Sequence, residues 1–192
     1  MTFQRACALV LVAFAAIALS GCFVVSKNLP AGKEQTDERL VGAWRGFDKD
    51  DQKDADAFLH FLEPDNEEPL KLVWVEGRNY QVYEVHTFEI GGKNVFASKL
   101  LTPMKEGDDA MPEGFFLGFY ELKGDDELVF TPLDADKVND LIKAGKLKGI
   151  GAKAKYDFVT LTGSPAELAK FLTSPEAEAA KIDDPAVLRR LR

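Results

Sequence analysis

The sequence predicts a mainly β protein: an eight-stranded antiparallel meander that closes into a barrel or a strongly curved sheet, with short helices before and after the last strand. Three observations predict it. Between Leu40 and Leu133, short runs crowded with aromatic and β-branched residues alternate with segments crowded with Gly, Pro, Asn and Asp, which is the pattern of successive hairpin-joined strands. Beyond Leu133, two segments change to a helical period and carry cap residues at their starts. The third observation is a fourteen-residue apolar or small-residue run from Ala6 to Leu19, too short for a helix that crosses a bilayer, which takes roughly 20 residues. It leaves the β-patterned remainder as one domain.

Taken in order, residues 1–21 read as a secretory leader: Arg5 is the only charge, the apolar run follows, and small residues close it. Residues 22–39 read as the lipidation candidate and a tether, since 23–38 have a Pro-Gly break and little periodicity after Val25. Sixteen such residues reach at most ~50 Å when extended. The domain is expected over 40–174. Its strand runs are VGAWRGF (41–47), AFLHFL (57–62), LKLVWVE (70–76), YQVYEVHTFEI (80–90), NVFASKLL (94–101), FFLGFYEL (115–122) and ELVFTPL (127–133). The Gly91-Gly92 pair supplies the positive φ that a tight hairpin turn needs.

The first helix is expected over 134–145, with Asp134 or Asp136 as its cap and Val138, Leu141 and Ile142 on one face. Gly145 stands where a C′ glycine belongs, with Lys143 and Lys146 at the negative end of the dipole. The eighth strand is expected over 155–163. A second helix follows at 164–173, with Ser164 as cap, Pro165 at its first position and Glu167 two further on. Residues 175–192 read as a helical or disordered tail.

Leu19-Ser20-Gly21-Cys22 resembles the bacterial lipobox at all four positions. The resemblance implies lipid on the Cys22 thiol, cleavage before it, and usually acylation of the new amine. Two or more acyl chains hold a protein stably to a membrane. Phe23 follows, rather than the Asp that retains such proteins in the inner membrane, so the resemblance points to the periplasmic face of the outer membrane.

Of 192 residues, 21 in the leader leave 171, enough for one buried core. The net charge is −8, and loss of Arg5 brings it near −9, which argues against a nucleic-acid partner. Cys7 leaves with the leader and Cys22 is the lipidation candidate, so no disulfide is expected.

Gly42 and Trp44 in LVGAWRG resemble the Gly-x-Trp signature on the first strand of lipocalin-like barrels, where the Trp plugs the closed end. The expected helix before the last strand departs from that family. No Arg stacked on the Trp is identifiable from the sequence. The mature chain is also similar to small bacterial lipoproteins that run from a lipobox through a β-rich body to an LTGSPAELAKFL-type finish, a likeness that brings no activity with it.

Chemistry-bearing constellations are sparse. His60 and His86 lie in separate strands, without the H-x-H, H-E-x-x-H or C-x-x-C spacing of a metal site, so no metal or other cofactor is expected. In DKDDQKDADAFL (48–59), Asp48, Asp50 and Gln52 mimic a calcium loop. Lys53 and Leu59 stand where Gly and Glu are required, so an acidic turn is expected. Ser26, Ser98, Ser164 and Ser174 carry no nucleophile signature, and no catalytic residue is assigned. Lysines at 143, 146, 148, 153 and 155 form a basic segment that reads as a solvated helix end, or as a patch for anionic headgroups.

Fourteen Phe, four Tyr and two Trp concentrate in the runs, and AFLHFL and FFLGFYEL offer large side chains to both faces. One face fills a barrel. The other needs a cover, for which the C-terminal helices are the first candidate. The expectation is a non-enzymatic lipoprotein of the bacterial envelope, held to the membrane by its lipid anchor and binding a small apolar or amphiphilic ligand. The alternative is an interaction or structural protein that docks on another, unidentified protein through exposed aromatics.

Overall fold

The structure is a computed structural model that describes residues 24–48, 53–64, 68–102, 113–152 and 158–192; for Asp48 and residues 53–56 the backbone alone is described. It is mainly β, built on a closed eight-stranded antiparallel barrel.

Seven barrel strands come in chain order. They are β3 (Gly42–Asp48), β4 (Lys53–Leu62), β5 (Leu70–Glu76), β6 (Asn79–Ile90), β7 (Lys93–Leu100), β8 (Phe115–Lys123) and β9 (Glu127–Pro132). Each follows an expected run, and each pairs with its successor. The β6–β7 turn is Gly91-Gly92 with φ of 60° and 75°, the backbone that a two-residue hairpin demands.

The eighth barrel strand is β12 (Ala186–Arg190), from the segment expected to be a helical or disordered tail. Val187 pairs with Val129 of β9 on one side and with Phe47 of β3 on the other. Five residues ending in two arginines carry no convincing strand pattern of their own. They are extended because both flanking strands present unpaired N–H and C=O groups, and closure removes both edges at once.

The stretch expected to be the eighth strand lies outside the barrel. Its described part, β11 (Val159–Leu161), pairs antiparallel with β10 (Gly149–Ile150) and parallel with β1 (Val24–Ser26). The segment expected as a tether is thus held in the structure almost from its start. β1 is buried along its length and pairs antiparallel with β8, Val25 opposite Phe116. β2 (Lys33–Glu34) then pairs with β6. Three consecutive apolar residues, Phe23-Val24-Val25, were the signal that this segment is not free chain.

The helices are α1 (Ala135–Lys143), α2 (Pro165–Leu172) and α3 (Pro175–Ala179). Asp134 caps α1, accepting from the Lys137 amide. Ser164 and Glu167 form a full capping box at α2, and Ser174 caps α3. These helices bury Val138, Leu168, Phe171, Leu172 and Ala177 against Ile90, Val95, Ala97, Leu117 and Phe119 on the outer wall of β6–β8. Each fully buried large side chain here is worth roughly 1.5–3 kcal/mol. The second apolar parity of FFLGFYEL is covered by this layer.

A candidate ligand cavity inside the barrel

The inward parity of the strands can be followed around the wall through the pairing. Trp44 faces Leu59, Leu59 faces Trp74 and Trp74 faces Gln81; Phe61 faces Leu72, which faces Tyr83. The apolar ones among these, with Val85, Phe96, Tyr120, Leu128 and Leu188, make an inner core separate from the helix-covered one.

One end of the barrel is sealed. A 3₁₀ turn, Glu38–Leu40, lies across it, capped by Asp37. Trp44 is fully buried and donates its indole N–H to the Leu40 carbonyl at 2.7 Å. Over its ring, 4.1 Å away, lies the guanidinium of Arg190 from the closing strand. Arg190 also donates to the carbonyls of Asp125 and Val41, both at 2.7 Å, and to that of Arg39. One planar fork thereby ties the β8–β9 turn to the segment that crosses the barrel end. Gly42 stands beside it with φ 122°, and a Cβ there would meet an Arg190 nitrogen at 2.9 Å.

Asp37 adds a buried polar tie, accepting from the Tyr120 hydroxyl at 3.0 Å and from the Arg39 side chain at 2.7 and 2.8 Å. Burial pushes its carboxyl up, but the hydrogen bonds from Arg39 and Tyr120, with the Arg39 charge, outweigh this and hold it below the ordinary value. Burial, followed by the Asp37 charge, pushes the Tyr120 phenol well above its ordinary value.

Between this floor and the opposite end lies a cavity of about 320 Å³. Leu40 and Tyr120 are at its base, and Trp74, Glu76 and Gln81 are toward the other end. Its wall includes Phe96 and Phe130, stacked with ring centroids 3.7 Å apart. Gly118 makes room for this stack, since a Cβ there would sit 2.5 Å from the Phe96 ring. Polar groups are few. The Tyr83 hydroxyl donates to Gln81 Oε1 at 2.7 Å, burial pushes that phenol up to about 12, and Ser98 is buried in the wall. A cavity of this size is at the low end of small-molecule sites, and this lining suits an apolar body with few polar atoms.

Of the residues singled out from sequence, Gly42 and Trp44 meet at the sealed end. Leu19, Ser20, Gly21 and Cys22 lie outside the described residues, as do Lys153 and Lys155 and residues 49–52 of the acidic segment 48–56. His60 is exposed on β4. His86 is on the outer face of β6, between Glu34 Oε1 at 2.5 Å and Glu84 Oε1 at 2.9 Å. Among the described residues, no group of three or more His, Cys, Asp or Glu side chains is placed to hold a metal ion. Sequence reasoning missed Arg190, whose only signal was two arginines in a short tail, and Gly118, whose role appears only against a cross-strand ring.

No family model matches the chain, no curated protein matches it, and no solved structure matches it.

Proposed function

We propose that this protein is a lipid-anchored component of the bacterial envelope, at the periplasmic face of the outer membrane, whose barrel holds a small apolar or amphiphilic ligand. The observation that carries the reading is the cavity of about 320 Å³ within a barrel rich enough in large rings to have been filled. Eight strands enclose an interior that side chains just fill, or that holds one small ligand, and here space is left over. The lipocalin-like reading is supported by the sealed end, where Gly42-x-Trp44 on the first barrel strand sits under Arg190, the stacked arginine that the sequence did not disclose. The anchor reading is supported by Leu19-Ser20-Gly21-Cys22. The role is that of a carrier or sensor rather than a catalyst. The Tyr83 and Gln81 groups in the cavity wall bond to each other, and burial pushes the phenol still further from ionisation.

Titration of the Cys22→Ala protein with an apolar fluorescent probe tests the ligand reading. Saturable, near-stoichiometric binding with a response of Trp44 or Trp74 fluorescence is expected; unsaturable binding counts against it. Labelled palmitate tests the anchor: the wild type takes it up and Cys22→Ala does not.

A second reading has one observation in its favour. On the outer wall away from the helices, Phe58, Val75 and Tyr80 lie side by side across β4, β5 and β6, and Phe58 and Tyr80 are exposed. Docking of an envelope protein on this strip is the alternative, and Tyr80→Glu that abolishes co-purification of a partner while sparing probe binding would favour it.

A further inference from the structure

We propose that the barrel cavity seats an acyl chain carried by Cys22 of the same molecule, admitted sideways at the junction of β1, β8 and β9. This rests on both parts of the proposed function, the lipid on Cys22 and the ligand cavity, and it names the ligand and its source.

The junction is a seam in the barrel wall. β9 runs along one edge of β8 as far as Pro132 opposite Gly118. The same edge is taken over by β1, with Val25 opposite Phe116. Leu117 falls between the two ladders, and at this point β9 gives way to Leu133 and α1. The cavity reaches this seam: Val24, Leu117, Pro132 and Leu133 belong to its wall, together with Leu128 and Phe130 from the barrel interior.

The second observation is how β1 is anchored. Val24 is buried and pairs with Val159 of β11, and the next residue, Val25, pairs with Phe116 of β8, so only Phe23 separates this anchored strand from Cys22. Two residues span at most about 7 Å. A lipid on Cys22 therefore emerges at the seam itself, beside an apolar cavity, rather than at the end of a long tether. The remaining chains suffice for the membrane: processing of the lipobox kind leaves three acyl chains, and two give stable anchoring where one is marginal. Seating one chain in the barrel costs the anchor little and holds the domain at a set orientation against the bilayer.

The test uses the full chain made in a host that acylates it and fed a photoreactive palmitate. Intact mass first establishes acylation. Irradiation is expected to crosslink the chain on Cys22 to peptides bearing Leu117, Leu128 or Phe130. In parallel, a fluorescent sixteen-carbon fatty acid should bind Cys22→Ala saturably and the acylated protein about tenfold more weakly or less, since only molecules with an empty cavity compete for it. Crosslinks confined to detergent or bulk lipid, with equal probe binding by both proteins, overturn the proposal and leave the ligand cavity standing for a different occupant. An unacylated wild type overturns the anchor reading and this proposal with it. Failure of Cys22→Ala to bind the probe overturns the ligand reading and again takes this proposal with it.

Discussion

The two apolar cores lie on opposite faces of the same strands and are built differently. The inner one is furnished with rings, including Trp44, Phe61, Tyr83, Phe96 and Tyr120, yet encloses about 320 Å³ of space. The outer one draws mainly on Leu, Val and Ala from strands and helices, with Val95, Val138, Val159, Leu161, Leu172 and Ala177 fully buried. The difference comes from what is free to move during folding. A barrel's radius is set by its strand number and stagger, so rings on its inner face cannot approach further once the ladders are made. Helices carry no such constraint, and α1, α2 and α3 settle on the outer wall until their side chains touch it. Rings are therefore no guarantee of a filled interior, and small residues no sign of a loose one.

The comparison is broken most severely by unsealing the barrel. Arg190→Ala leaves three carbonyls without their donor and uncovers Trp44, and hydrogen bonds from a charged group are worth about 1.5–3 kcal/mol each, so a loss of roughly 3–4 kcal/mol is expected in urea unfolding. Arg190→Lys should recover little of it, because an ammonium cannot reproduce the planar fork.

Truncation in each core comes next. Leu172→Ala, at a fully buried position of the outer core, is expected to cost about 3 kcal/mol, and Leu72→Ala beside the existing cavity about 2, since the latter gives up fewer contacts. Equal costs would mean that the inner core is as well packed as the outer.

Enlargement should reverse the order of tolerance. Ala177→Leu under the helices is expected to cost about 1–3 kcal/mol through overpacking. Ala186→Leu projects into the cavity and should cost less than about 1 kcal/mol while weakening apolar-probe binding.

The smallest effects are acid ones, the first of them in the outer layer. The Lys148 ammonium, followed by the amide and hydroxyl of Ser164, brings the Glu167 carboxyl down to about 2 from an ordinary 4.5. A lowered folded-state pKa means that the stabilisation of α2 is present above about pH 4.5 and lost as pH falls through about 2. Glu167→Gln should lower the urea midpoint slightly at neutral pH, and the gap from wild type should close in that acid window. Asp37 shifts in the same direction at the sealed end. Burial there is outweighed by the bonds from Arg39 and Tyr120, so Asp37→Asn should weaken the barrel at neutral pH and converge with wild type in acid.

Wherever a single segment carried its own instruction, the sequence was legible. Ser164-Pro165 and Glu167 place a helix start, and the structure has the complete capping box there. Gly91-Gly92 between two alternating runs places a hairpin, and both glycines take positive φ. The runs behind β3 to β9 announce strands because aromatic and β-branched side chains suit a pleated surface regardless of partner. Of the candidate site, Gly42 and Trp44 were legible through a two-residue signature. Arg190 and Gly118 were not, because their partners lie more than 145 and about 20 residues away, on other strands.

By itself the sequence determined the seven ordered strands, the Gly91-Gly92 turn, the two capped helices and an apolar supply sufficient for both sides of a sheet. Those are properties of short windows, fixed by backbone sterics, capping and alternation. Only the tertiary structure decided that Ala186–Arg190 closes the barrel, that Val24–Ser26 is sheet rather than tether, and that the ring-lined interior keeps a cavity. Five residues become a strand when two open edges are waiting for them. A cavity is what remains when eight strands set a radius that the inward side chains do not fill, and neither quantity belongs to any one stretch of chain.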